Sequence, residues 1–165
     1  MPRHVEEIEF TPADTSRVVG EMARLADARD GWVNLLPGVP DDEVQGPGKP
    51  SVFSTLFGGT QSPVTMVTWM PARSGLGGPG EMTLGVMHPR GKRAVTQLAG
   101  MGIPLLEGWR VRQDHNRRGL IVLAPAAFPL DRLLDWALRA GAALATTELT
   151  GSWQARVFEP RTAGG

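Results

Sequence analysis

Hydrophobic positions recur at two different periods along this chain. Val18, Met22, Leu25 and Ala26 come round at helical spacing. Ahead of them, Thr11-Pro12-Ala13-Asp14 offers an N-cap, a proline at the first helical position and an early acid; behind them Gly31 is a stop. The spacing therefore predicts a helix over 12–29, with Glu21, Arg24 and Asp27 on its solvated face. Ala94, Val95, Leu98 and Ala99 predict a second helix over 92–99, ended by Gly100 and Gly102. Leu130, Leu133, Leu134, Ala137 and Leu144 predict a third over 130–143.

Elsewhere the period is two, as half-buried strands require. Ile8-Glu9-Phe10 reads as a short edge strand, and 52–57, 64–70 and 82–88 read as an antiparallel meander between Gly-rich turns. In the last of these, Met82, Leu84, Val86 and His88 share one side. The clearest hairpin is GWRVRQDHNRRGLIVLAP, residues 108–125, turning around Asn116 to Gly119. Trp109 and Val111 face one side of its first strand, and Arg110 and Arg112 the other. The unbroken Leu120-Ile121-Val122-Leu123 run predicts an interior strand covered on both faces. Trp153, Ala155 and Val157 alternate as a closing strand.

From Leu36 to Pro50 the period vanishes, and Pro, Gly and the acids Asp41, Asp42 and Glu43 predict a long loop, acidic over 37–50. Residues 160–165 read as a disordered tail. These elements add up to one α+β domain spanning 1–165: a mainly antiparallel sheet of five to seven strands with about three helices packed on it. The length, 165 residues, suits one core, and 41% hydrophobic with 21% charged residues is an ordinary globular balance.

Charge changes the picture. The total is zero, yet residues 1–50 carry five basic against ten acidic side chains, and residues 88–118 carry seven against two. Such segregation builds local fields that attract a ligand, a partner or the opposite segment. A neutral total argues against general nucleic-acid binding, which needs a broad surplus of cations. With no cysteine, disulfides, thiolate metal sites and a Cys nucleophile are excluded. No long apolar run is present and no leader is visible, so a cytoplasmic protein that does not bind membranes is expected.

Candidate chemistry is sparse. Gly75-Leu76-Gly77-Gly78-Pro79-Gly80 matches a dinucleotide fingerprint in letters, but a strand follows it where a helix is needed. Gly46 to Pro50 lacks the first glycine and the hydroxyl residue of a phosphate loop. His4, His88 and His115 have no metal spacing, and no nucleophile elbow occurs, so no cofactor, metal or catalytic residue is assigned. The best candidate is a basic strip: His88, Arg90, Lys92 and Arg93 before the second helix, with His115, Arg117 and Arg118 at the hairpin tip. Guanidinium groups and free amides at a helix start suit a phosphate or carboxylate ligand. Asp114 precedes His115 and so points to the opposite face of its strand, where it does not orient that imidazole. The five tryptophans read as core and core-edge residues.

GWVNLLPG, residues 31–38, and the 108–125 hairpin resemble segments of small uncharacterised actinobacterial proteins over about 31–158, a resemblance that implies no activity. The order helix, three strands, helix, two strands, helix is similar to the type III secretion chaperone-like fold, whose members bind protein partners. The strand lengths and the added last strand depart from that pattern, and it transfers no binding residue. The expected function is that of a non-enzymatic binding or adaptor domain for a protein partner. The alternative is a small enzyme or sensor that holds an anionic ligand on the basic strip, which predicts one pocket joining its two halves.

Overall fold

The computed structural model describes residues 5–40, 64–73 and 80–160. Their elements run β1 (Val5–Phe10), α1 (Ser16–Ala28), β2 (Trp32–Pro37), β3 (Met66–Met70), β4 (Glu81–Met87), α2 (Ala94–Gly100), β5 (Arg110–His115), β6 (Gly119–Pro125), α3 (Leu130–Leu144) and β7 (Trp153–Phe158). All seven strands join one sheet in the order β1-β7-β2-β3-β4-β6-β5, and every neighbouring pair is antiparallel. This is the α+β sheet that the two hydrophobic periods predict.

The register shows why one face is dry. Ile8 lies opposite Ala155, Ala155 opposite Leu35 and Leu35 opposite Val67; Val67 in turn lies opposite Val86, and Val86 opposite Leu120. These alternate residues are all buried, and they form one core cluster with Val18, Met22 and Leu25 of α1, Ala94 and Leu98 of α2, and the inner side of α3. All three described helices therefore pack on the same face. Gly141 lets α3 come close, because a Cβ there would stand 3.0 Å from the Trp153 ring and 3.2 Å from Val67. The Thr65 hydroxyl ties the contact by donating to the Gly141 carbonyl at 2.7 Å.

Several expectations move. Thr11 does not cap α1: the Asp14 N–H bonds back to the Thr11 carbonyl at 3.0 Å, closing a turn, and the helix begins at Ser16, whose hydroxyl donates to Asp14 at 2.9 Å. Leu36 and Pro37 are not loop but the end of β2, a strand hidden in the sequence because Leu35 and Leu36 are apolar on both faces. The acids at 41–43, the strand expected at 52–57 and the tail beyond residue 160 lie outside the described residues. In α2, which starts at Ala94 rather than Lys92, only Ala94 and Leu98 are buried and Ala99 is exposed. Glu21 and Arg24 are not merely solvated, since Arg24 bridges Glu21 and Glu159. Trp153, Ala155 and Val157 form a strand, but β7 is inserted between β1 and β2. Val111 is 42% exposed, because β5 is an edge strand with a bulge between Val111 and Gln113. In β6, Leu120 and Val122 are covered by helices while Ile121 and Leu123 are only half-buried on the other face.

Gly119 turns the hairpin with φ of 83°, and a Cβ there would stand 2.5 Å from the Val86 carbonyl oxygen. Gly119→Ala is therefore expected to cost at least about 2 kcal/mol, from left-handed strain and a backbone clash. A fall of several degrees in melting temperature, read by circular dichroism, checks it.

Candidate functional site

The two halves of the basic strip meet in space, and a carboxylate joins them. Asp114, near the end of β5, accepts hydrogen bonds from the Ala94 and Val95 amides at 3.0 and 3.1 Å. Those amides open α2, so the positive helix end expected to hold an external anion holds the protein's own. Sequence reasoning set Asp114 against His115 next door and missed this role, because its partners lie about 20 residues away.

Other members of the strip are also committed. The Arg90 guanidinium donates to the Ala145 carbonyl at the C-terminal end of α3, at 3.2 Å. Gln97 donates to the Arg90 and Lys92 carbonyls, both at 3.0 Å, and fixes the loop between β4 and α2. His88 is 8% exposed; its Nδ1 accepts from the Arg90 amide at 3.2 Å, and its buried Nε2 has no hydrogen-bond partner among the described residues. Burial pushes this imidazole below its usual 6.5, against the opposing pull of the Asp114 carboxylate. His115 is exposed, and its Nδ1 accepts from the Arg117 and Arg118 amides at 3.0 and 3.2 Å, which shapes the hairpin tip. Lys92, Arg93, Arg117 and Arg118 are exposed and make no ion pair among the described residues. They are what the strip offers to a ligand. A cavity of about 370 Å³ lies elsewhere, along α3, lined by Leu106, Asp131, Arg132, Asp135, Trp136 and Arg139.

The second notable surface is the sheet face opposite the three described helices, on which three levels of side chains cross the strands. Glu9, Gln154 and Leu36 lie on one level at the β1 side, with Met66 and Met87 continuing it and His115 at the β5 side. A polar level follows: Glu7, Arg156, Asn34, Thr68, Gly85, Ile121 and Gln113. On the third, Val5, Phe158 and Trp32 lie at one side, with Met70, Thr83, Leu123 and Arg110 across from them. Trp32 stacks on Phe158 at 4.6 Å with 15° between the rings. It is the one tryptophan outside the core. Arg110 reaches across β6 to Glu81 and holds that carboxyl below the usual carboxylate range.

Polar groups on this face are matched to one another. Thr68 donates to Asn34 at 2.9 Å, Arg156 lies 3.3 Å from Glu7, and Gln154 donates to Glu7 at 3.2 Å. On the covered side of the β1 edge, Glu6, Glu21 and Glu159 place carboxylate oxygens within 4.8 Å of one another. Arg17 and Arg24 already bridge them, so the cations of that cluster are guanidinium groups, and Arg24 is raised above its ordinary value by Glu159 and Glu21. No described helix is long and apolar enough to cross a membrane. No protein-family model, curated protein or solved structure matches the chain.

Two outcomes follow for the strip. Asp114→Ala leaves the α2 amides open and is expected to cost about 1–2 kcal/mol, with faster hydrogen exchange at Ala94 and Val95. His88 is kept neutral by the fold, so the unfolded chain takes up its proton first and stability falls as pH drops below 6.5. Thermal melts from pH 7.5 to about 5 are expected to show that loss in the native chain, and His88→Leu flattens it.

Proposed function

We propose that this protein is a non-enzymatic binding domain that takes a protein partner on the open face of its sheet. The observation that carries the reading is the placement of Trp32, Phe158, Met66, Met70, Met87, Ile121 and Leu123 on the sheet face opposite the three described helices. Met87 is exposed there and the others are half-buried; large apolar and aromatic side chains gathered on one sheet face are the composition of protein interfaces, and methionine adapts to irregular partners. Edge charges rim this apolar middle, with acids on β1 and bases on β5. An apolar centre inside a charged rim excludes water where affinity is made and steers the encounter at its border.

The anionic-ligand reading has less to work with. Asp114 fills the α2 amides and Arg90 is engaged by α3, which leaves four surface cations around a helix end that is already neutralised.

A photo-cross-linking side chain at Ile121, on the open face, is expected to yield a polypeptide adduct in the native host. The same side chain at Asp135, on the outer side of α3, is expected to yield none. Equal labelling from both positions, or none from Ile121, would sink the proposal. In a parallel thermal-shift screen, phosphate, nucleotides and dicarboxylates are expected to leave the melting temperature unmoved. A shift of several degrees that Arg93→Ala/Arg118→Ala removes would transfer the function to the basic strip.

A further inference from the structure

We infer that the partner on the open face is a second copy of this chain, docked face to face about a two-fold axis that runs parallel to the strands over β3. The inference rests on the reading of that face as a protein-binding surface. β3 is the fourth of seven strands, so such an axis lays β3 on its own copy, β2 on β4, β7 on β6 and β1 on β5. A two-fold axis lying across the strands is the other way to bring two such faces together, and it would lay β1 on β1 and β5 on β5.

Charge chooses between the two axes. β1 presents Glu7 and Glu9 to this face, while β5 ends in His115, followed by Arg117 and Arg118. An axis parallel to the strands preserves the level of each residue, so Glu9 of one copy meets His115 and the arginines of the hairpin tip of the other. The crosswise axis gathers acids against acids and cations against cations, and like-charge juxtaposition at an interface costs several kcal/mol.

The rest of the face fits the same axis. The Trp32–Phe158 stack falls over Thr83 and Leu123 of the other copy, at the same level, and Met66 and Met70 lie on the axis itself. The polar level between them enters the interface already partnered, through the Thr68–Asn34 and Arg156–Glu7 pairs, which lowers the cost of removing water. Strands about 4.8 Å apart and roughly 20 Å long give a face on the order of 600 Å² in plan, near the ~800 Å² of accessible surface that each partner of a standard interface buries. Aligned packing of two sheets about 10 Å apart would make the pair a sandwich with the described helices outside.

Met66 makes the test, because on this axis it meets its own copy. Met66→Lys and Met66→Glu each set like charges against each other, while an equal mixture sets opposite charges there. By analytical ultracentrifugation of the full chain, the wild type is expected to be a dimer. Each variant alone is expected to be a folded monomer with dissociation raised at least about 100-fold, and the mixture to recover a one-to-one heterodimer. Circular dichroism confirms that each variant keeps its fold, as expected for a partly exposed position. A monomeric wild type, variants that stay dimeric, or a mixture that stays monomeric would each overturn the two-fold pairing. The Ile121 cross-link separates the two failures. A monomeric wild type that still cross-links to another polypeptide removes only the second copy, whereas one that cross-links to nothing removes the binding face as well.

Discussion

Three of the chain's connections join parallel strands, and each must cross the sheet on the side that one handedness allows. β1 leads through α1 to β2, β4 through α2 to β5, and β6 through α3 to β7. The first two step toward the β5 edge; the third starts from a strand of opposite direction and steps back toward β1. Reversing both the strand direction and the step leaves the hand of the crossover unchanged, so all three place their helices on the same face. The strong preference for right-handed crossovers thereby decides that all three described helices lie on one face of the sheet.

That asymmetry organises the energetics. The covered face supplies Trp69, Leu84, Val122 and Ala155 to one continuous core, and α3 lies closest to the sheet where Gly141 has no side chain to hold it off. Polar side chains then close the gaps that the crossovers leave. Asp114 reaches from β5 to the start of α2, Arg90 reaches from the β4 end to the Ala145 carbonyl that caps α3, and Trp136 donates to the Pro104 carbonyl at 2.9 Å. Each joins a helix end or a connection to an element distant in sequence, where unpartnered backbone groups would otherwise cost stability. Of the charge that stands out between residues 88 and 118, Asp114, Arg90 and Arg110 are therefore spent on assembling the fold, while Lys92, Arg93, Arg117 and Arg118 stay exposed.

On the uncovered face the same alternation has the opposite result. On the side opposite the described helices, apolar side chains such as Trp32, Phe158, Met66 and Met70 flank a level in which Thr68 bonds Asn34 and Arg156 pairs with Glu7. A face built only for water has no use for the Trp32–Phe158 stack or the methionines of β3 and β4. Acids on one rim and bases on the other, with the middle strand at the centre, suit the two-fold pairing proposed above. A bulge on β5 and the charges on both outer strands discourage edge-to-edge pairing, which favours contact through the face over growth along the sheet.

Local pattern was enough for the elements whose signal is local. The stripe Leu133, Leu134, Ala137 and Leu144 marked α3, the alternation up to His88 marked β4, and the turn before Gly119 marked the hairpin. It failed at β2, where Leu35 and Leu36 erase the alternation and glycine and proline flank the strand, and at the start of α1, where Asp14 closes a turn. Strand order lay beyond it altogether: nothing near Trp153 tells that β7 enters between β1 and β2, because that pairing is made with residues more than 100 positions away. The sequence alone determined the periods, and through them the α+β class and the residues able to be buried. Only the tertiary structure decided that Asp114 serves α2, that Arg90 serves α3, and that side chains from seven strands form one open face. Those decisions depend on which distant segments come within a few ångströms, and no local pattern carries that information.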